Sequence, residues 1–292
     1  MVTRRKVRRR PLSPGKLAFR IFQYATLILF SIIVLLPLWS VLAGSFKTPL
    51  EYTNTAHAAP PANWLNFANY LDVIFPVTGL PIGWAFLNTI RVMVCSIALL
   101  VLFGSMAAFI IDRFKFPGRW LLLAAYAAIV AVPGILTPVS TFQVLQLLGL
   151  ANTRWALVAL YSGADIVSLL IFIQFLKGIS TEIDDSARIE GANYFQIFFR
   201  LILPIMAPAI ATVVILRSVY IYNDFVLPYL YAARASENTV SMMLFTFASI
   251  NSTVSQAVIM AAVILVILPT LIAFFFLQRF IYAGITNGSV KG

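Results

Sequence analysis

Cysteine and histidine are almost absent from this chain of 292 residues, which contains one of each, Cys95 and His57. A single cysteine excludes an intrachain disulfide framework. A single histidine excludes the paired-histidine zinc motifs, so we predict no metal site. The Gly-x4-Gly-Lys-Ser/Thr phosphate loop is also missing, since Gly15-Lys16 is followed by Leu17. We therefore expect no cofactor in this chain and no enzymatic activity of its own.

Charged residues are scarce as well, at 11% of the chain, whereas 61% of the residues are hydrophobic and the mean hydropathy is +0.93. This composition is typical of an all-α integral membrane protein. An apolar helix needs about 20 residues to cross a hydrocarbon layer roughly 30 Å thick. Six apolar runs meet that length, and they lie at about 21–46, 84–111, 120–142, 154–178, 201–224 and 256–281.

The basic residues predict the orientation of these six spans. Of the 21 Lys and Arg residues, 16 fall before the first span, in or next to the loops between spans 2 and 3 and between spans 4 and 5, or at the end of the chain. Both termini should therefore be cytoplasmic. This gives a basic leader (1–20), a membrane domain (21–281) with a cytoplasmic loop (179–200), and a cytoplasmic tail (282–292). The net charge of +11 follows from this bias and indicates no nucleic-acid partner.

The cytoplasmic loop carries an acidic segment, defined here as residues 181–204, that contains four of the ten acidic residues of the chain. Thr181 before the acidic residues predicts a helix start. Gly191 predicts a turn, and Asn193 with Gln196 three residues later predicts a second helix start. Clustered carboxylates are costly in hydrocarbon, so the segment should lie on an aqueous face. It is either a docking surface or an interfacial amphipathic helix without a partner.

The spacing within the acidic segment resembles the EAA loop of ABC importer permeases, whose pattern is Glu-Ala-Ala, x3, Gly, x9, Ile-x-Leu-Pro. Here the pattern reads Asp185-Ser186-Ala187, x3, Gly191, x9, Leu201-Ile202-Leu203-Pro204. Asn63-Trp64, Tyr222-Asn223-Asp224-Phe225 and the C-terminal Gly288-Ser289-Val290-Lys291-Gly292 are similar to the carbohydrate branch of that family. Tyr222 departs from it, since the family usually has Trp there.

The resemblance implies the type I ABC importer permease fold and a subunit of an ATP-driven sugar importer in the bacterial cytoplasmic (inner) membrane. Its implied partners are a second homologous permease subunit in a heterodimer, two cytoplasmic ATPase subunits that bind ATP and Mg, and an extracytoplasmic solute-binding protein. The alternatives are a permease for a non-sugar solute and, less favoured, a membrane-embedded enzyme.

The resemblance also implies that the acidic segment couples the permease to the ATPase, with Asp184, Asp185 and Glu190 pairing with basic residues of the ATPase groove. Three phenylalanines, Phe195, Phe198 and Phe199, should hold it to the membrane helices. The predicted coupling residues are Glu182, Asp184, Asp185, Ser186, Ala187, Glu190, Gly191, Ala192, Phe195, Leu203 and Pro204.

Polar residues inside the spans are the candidates for contact with the transported solute, because an ionisable group at bilayer depth usually faces a cavity or a partner. Two arginines among them make an anionic sugar an option. Asp165 with one arginine is alternatively a buried structural pair. The candidates are Arg91, Asp165, Arg217, Tyr220, Asn223 and Asp224.

Overall fold

The computed structural model describes residues 14–288, apart from 78, 164 and 250–252. Every regular element in this part of the chain is a helix, and no strand occurs among the described residues. The prediction of an all-helical protein is confirmed. Most of the basic leader and residues 289–292 of the tail lie outside the described residues.

The helices are numbered along the chain. Two 3₁₀ turns (Gly134–Leu136 and Ala235–Glu237) and a π-helix (Ile197–Ile202) accompany the α-helices. The α-helices are α1 (Pro14–Ser45), α2 (Pro49–Asn54), α3 (Ala68–Ile74), α4 (Ile82–Arg113), α5 (Arg119–Ala131), α6 (Pro138–Leu147), α7 (Arg154–Ser162), α8 (Ile166–Leu176), α9 (Glu182–Ile189), α10 (Tyr194–Gln196), α11 (Leu203–Ile205), α12 (Ala207–Asn223), α13 (Val226–Tyr231), α14 (Val240–Phe247) and α15 (Gln256–Gly288).

The chain divides into two compact units, of which the first comprises Met1–Leu71 and Ser255–Leu265. Its loop after α1 is fixed by buried polar side chains. Lys47 is fully buried and donates to the Thr55 hydroxyl and the Ala56 carbonyl at 2.9 and 2.8 Å. The Asn69 amide donates to the carbonyls of Ser45 and Lys47, both at 2.8 Å. The bond to Ser45 satisfies a backbone carbonyl that the end of α1 leaves without a helical partner.

The second unit comprises Asp72–Val254 and Val266–Gly292, and α4 is its central helix. α4 packs against α7, α8, α12 and α14. The main core joins α4 and α8 to the acidic segment through fully or nearly fully buried side chains, among them Ile111, Phe172, Leu176, Ile197 and Ile202. The acidic segment is therefore part of the packed core of this unit.

Three helices of the described chain are long and apolar enough to cross a membrane: α1 (as Phe19–Ser45), α4, and α15 (as Gln256–Phe276). Two bent pairs raise the number to five when each is counted as one span. These are α7 with α8, bent by 43°, and Tyr194–Ile205 with α12, bent by 70°. They correspond to the fourth and fifth predicted spans.

The third predicted span, 120–142, is interrupted. α5 ends at Ala131, and Val132 adopts an extended conformation (φ −76°, ψ 118°) before Pro133. A proline restricts the residue before it to extended conformations and supplies no backbone N–H, so the helix stops here. At ~1.5 Å per residue, the 13 residues of α5 measure about 20 Å. α5 alone is shorter than the hydrocarbon layer.

The close approach of α1 to α2 at Gly44 gives the first testable prediction. A Cβ at Gly44 would lie 2.9 Å from the Tyr52 ring and 3.2 Å from Met260 Cγ. Tyr52 also contacts the His57 ring, at 5.2 Å between centroids, so it has little room to move. We expect Gly44→Ala to cost on the order of 1–3 kcal/mol through overpacking.

The measurement is thermal unfolding of the purified protein, with Gly15→Ala in the same helix as the control. A Cβ at Gly15 meets no atom within 4 Å. Equal melting temperatures for Gly44→Ala and the control would show that the first unit is not packed as described.

Candidate functional site

The acidic segment folds as a helix, a glycine turn and a second helix, as its sequence predicts. α9 ends at Ile189, and Gly191 has a φ of +89°, a conformation that favours glycine. Asn193 and Gln196 then form a reciprocal capping box with both bonds at 2.9 Å, and the π-helix follows. Both the turn at Gly191 and the second helix start are confirmed.

The start of α9 differs from the prediction in one respect. Thr181 has helical backbone angles (φ −69°, ψ −17°), and its side chain makes no capping bond. An N-cap residue needs an extended conformation to present its side chain to the helix, so Thr181 is not the cap. The Ser180 hydroxyl instead accepts from the Glu182 N–H at 3.2 Å.

An ion pair joins α9 to the end of α4. Asp184 Oδ2 lies 2.6 Å from Arg113 Nε, and the two side chains are only 11% and 8% exposed. Arg113 also contacts the Asp112 carboxylate at 2.9 Å and donates to the Ile179 carbonyl at 3.1 Å. Burial raises the pKa of the Asp184 carboxyl, and the Arg113 guanidinium opposes that rise. Asp184 is thus paired within the chain. We had expected it to be a surface carboxylate that pairs with the ATPase, and that expectation is wrong.

The phenylalanines of the segment do not all face inward. Phe198 is 3% exposed and lies 5.5 Å from the Phe109 ring of α4, whereas Phe195 is 68% exposed. Phe199 is also exposed. Only Phe198 of the three therefore holds the segment to the core, because Phe195 and Phe199 are four residues apart and share the outward face of the helix.

The small residues and the C-terminal end of the pattern also lie mostly inward. Ala187 is buried in the main core, and Ala192 and Leu203 pack against that core. Ala187 therefore does not offer the small outer face that we had expected. Pro204 is exposed, within α11 and just before the 70° bend.

The outward face of α9 carries Glu182, Asp185 and Ser186, and Glu190 follows the helix; all four are exposed. Between these polar residues lies Ile189, whose side chain is 88% exposed. Arg188 and Asp185 approach to 3.9 Å at the surface, a distance at which an exposed pair contributes little. The sequence pattern alone did not single out this exposed isoleucine beside carboxylates.

A second group of polar residues meets where α7 breaks from α8. Asp165 caps α8, accepting from the Ser168 N–H at 3.0 Å and from the Ser168 hydroxyl. Arg217 Nη1 lies 3.9 Å from Asp165 Oδ1, and Arg217 Nη2 donates to the Tyr161 carbonyl at 3.0 Å. The geometry matches the structural pair that the sequence left open for Asp165.

The same group continues to the end of α12. The Arg217 guanidinium lies 4.9 Å from the centre of the Tyr220 ring, and the Tyr161 hydroxyl donates to Asp224 at 3.0 Å. Asp224 also accepts the N–H of Val226 at 2.7 Å, at the start of α13. Tyr161 is a member of this group that sequence reasoning missed.

A cavity of about 640 Å³ opens beside this group. Its wall includes Tyr220, Asn223 and Asp224 from the end of α12, Tyr231 from α13 and Pro138 from α6. Three of the predicted solute-contact residues therefore line one cavity. Arg91 lies elsewhere on α4, with its guanidinium 5.8 Å from the Trp84 ring, and lines a different cavity.

Comparison with known proteins decides the family. Residues 9–287 match the family described as "binding-protein-dependent transport system inner membrane component". The chain belongs to this family. Among the described residues of this permease, no group of three or more His, Cys, Asp or Glu side chains could hold a metal ion.

Two relatives are similar over nearly the whole permease. A diacetylchitobiose uptake system permease protein of Streptomyces coelicolor is 30% identical, over 94% of this chain and 89% of the relative. A probable starch degradation products transport system permease protein of Thermoanaerobacterium thermosulfurigenes is 32% identical, over 90% and 94%.

A solved structure is similar in fold. It is a chain of a bacterial ABC transporter involved in the import of the acidic polysaccharide alginate, with a TM-score of 0.78 at 18% identity. The match covers 93% of this chain and 99% of that chain. This permease therefore has the type I ABC importer permease fold.

The Arg113–Asp184 ion pair gives the second prediction. In Arg113→Gln, Asp184 loses its counter-charge in a buried position, and breaking such a pair costs on the order of 3 kcal/mol. We expect backbone amides 179–190 to exchange hydrogen for deuterium at least roughly tenfold faster. Adding Asp184→Asn should restore part of the protection, because one of the two buried carboxylates that Arg113 neutralises is then uncharged.

The control is Lys115→Gln, which removes an exposed positive charge two residues away. Unchanged exchange in Arg113→Gln, or the same increase in Lys115→Gln, would contradict the role of the ion pair.

Proposed function

We propose that this chain is the permease subunit of an ATP-driven importer of a sugar or oligosaccharide. Family membership over residues 9–287 carries the proposal. Two relatives that are at least 30% identical are named for diacetylchitobiose and for starch degradation products. Both names favour a sugar over a non-sugar solute.

The proposed topology has six crossings with both termini in the cytoplasm. α1, α4, the two bent pairs and α15 supply five of them, and the interrupted apolar segment 120–142, which begins with α5, supplies the sixth. The positive-inside distribution of 16 basic residues supports this arrangement. It puts the acidic segment on the cytoplasmic side.

The acidic segment is the proposed docking surface for an ATPase subunit that binds ATP and Mg. Its inward face packs against the core of the permease through Asp184, Ala187 and Phe198. Its outward face presents Ile189 among carboxylates. An apolar side chain that becomes buried at the centre of an interface, with polar contacts around it, can act as its energetic anchor. The further proposed partners are a second permease subunit and an extracytoplasmic solute-binding protein.

The cavity beside Tyr220 is the proposed contact region for the sugar. Tyr220 offers a ring face, and Asn223 and Asp224 offer polar atoms. Arg217 does not bring a free positive charge, because Asp165 lies 3.9 Å away and the guanidinium also binds the Tyr161 carbonyl. The region therefore suits an uncharged sugar better than an anionic one.

The exposure of Ile189 makes it the sharpest test of ATPase docking. Ile189→Glu leaves the permease core untouched, so membrane insertion and melting temperature should not change. We expect loss of the ATPase from the purified complex and at least a roughly tenfold loss of uptake, since a buried anchor residue typically contributes 2 kcal/mol or more.

Leu65→Glu is the matched control, because Leu65 is also an exposed apolar residue (77%) and lies outside the acidic segment. Retention of the ATPase by Ile189→Glu at the level of the control would refute the docking surface.

Tyr220 gives the corresponding test of the sugar region. Tyr220→Leu removes the ring face while keeping an apolar side chain, so the complex should assemble normally and the half-saturating sugar concentration should rise roughly tenfold. Tyr229→Leu is the control, since Tyr229 is similarly exposed but packs against Phe245 outside the cavity. Uptake assays with neutral and anionic sugars measure both. Equal effects of the two variants would remove Tyr220 from the pathway.

A further inference from the structure

A cavity of about 470 Å³ on α4 and α7 lies apart from both regions described above. Arg91, Val92 and Cys95 of α4 form one wall, and Arg154, Trp155 and Val158 of α7 form another. Apolar side chains therefore line the cavity together with two arginines. The charge balance within it decides what it can bind.

Arg154 is neutralised inside the cavity. Its Nε and Nη2 bind the two oxygens of the Glu237 carboxylate at 2.7 and 3.0 Å, and its backbone N–H binds the same carboxylate at 3.0 Å. This two-point arrangement matches the guanidinium and carboxylate geometries, so the pair has no net charge. Glu237 is fully engaged and is not a partner for Arg91.

Arg91 is the uncompensated charge. No carboxylate of the described residues lies within ion-pair distance of its guanidinium, which lies 5.8 Å from the centre of the Trp84 ring. The cavity therefore carries one net positive charge. A complementary ligand has one net negative charge and an apolar part for the exposed Trp155 ring.

The depth of Arg91 identifies where such a ligand resides. With 32 residues at ~1.5 Å each, α4 is about 48 Å long, so a centred helix extends about 9 Å beyond each side of a 30 Å hydrocarbon layer. Arg91 follows Ile82 by nine residues, which puts its Cα about 14 Å along the helix and roughly 5 Å inside the hydrocarbon. Its long side chain reaches back to the phosphate layer.

The neighbouring aromatic residues mark the same level. Trp84 begins α4 and Trp155 begins α7, and both indole rings are exposed. Tryptophan concentrates at the boundary between hydrocarbon and headgroups. A guanidinium at this level, between two tryptophans and beside an apolar cleft, fits the phosphate of a lipid whose acyl chain lies along the cleft.

We propose that this cavity binds the headgroup phosphate of an anionic phospholipid. Arg91 binds the phosphate, the Arg154–Glu237 pair supplies further polar atoms, and the exposed Trp155 ring contacts the upper part of an acyl chain. Phosphatidylglycerol carries one net negative charge and balances Arg91, whereas phosphatidylcholine already carries its own cation. Selectivity for the anionic lipid is the distinguishing property of the site.

The test uses the full-length chain purified with its co-purifying subunits. Native mass spectrometry follows phosphatidylglycerol binding during a titration, and phosphatidylcholine is titrated in parallel. We expect phosphatidylglycerol to bind roughly tenfold more weakly to Arg91→Gln, because a charge-assisted hydrogen bond is lost. Arg91→Lys should recover part of the affinity. Arg234→Gln, which removes an exposed arginine outside the cavity, should bind like the unmodified protein.

Cys95, the single cysteine of the chain, reports occupancy of the cavity. N-ethylmaleimide labelling of its peptide should be slowed by phosphatidylglycerol and unaffected by phosphatidylcholine or inorganic phosphate. Protection by inorganic phosphate alone would assign the site to a free anion. A Cys95 that is unreactive without added lipid would show that a neighbouring subunit covers the cavity. Either result, or equal binding by Arg91→Gln, overturns the proposal.

Discussion

The buried ion pair between Arg113 and Asp184 is the constraint on which the rest of the acidic segment depends. Arg113 is the last residue of α4, the central helix of the second unit, and Asp184 is in the first turn of α9. A charged pair that is removed from water is stable only with both partners present. α9 therefore has one orientation relative to the end of α4, which fixes Ala187 inward and Ile189 outward.

At a break in the membrane helices, polar side chains form hydrogen bonds with the backbone groups that lose their helical partners. Because α7 ends at Ser162, the Tyr161 carbonyl has no helical amide to accept from, and Arg217 donates to it instead. Asp165 caps the next helix and lies beside the same guanidinium. A charged arginine at bilayer depth is thus used to satisfy the backbone at a bend. The adjoining cavity has its own polar atoms from Asn223 and Asp224.

Local features were predictable from the sequence, and long-range ones were not. The Gly191 turn and the Asn193–Gln196 capping box follow from residues within a few positions of each other, and both are found. Its sequence neighbours alone indicate that Asp184 is one more surface carboxylate of an acidic helix. Its partner Arg113 belongs to a distant part of the chain, so only packing reveals that it is buried.

The direction in which a side chain points was a second property that the sequence did not predict. The sequence alone does not distinguish Phe195 from Phe198. In the helix that continues from α10, Phe195 points outward and Phe198 points inward. The length of a membrane span was also not predictable from composition alone. The composition of 120–142 is apolar throughout, but Pro133 ends α5 after 13 residues. Composition gives the environment of a segment, and backbone chemistry decides whether it is one helix.

The buried ion pair predicts that α9 and the end of α4 move as one body when the proposed ATPase partner changes state. Spin labels at the exposed positions Lys115 and Glu182, on a chain with Cys95→Ser, allow the distance between the two elements to be measured by pulsed electron resonance. We predict the same narrow distance distribution in the nucleotide-free and ATP-bound transporter, and a broadened one in Arg113→Gln. A distance between the two labels that changes on ATP binding, in the protein with Arg113 and Asp184 intact, would contradict the account.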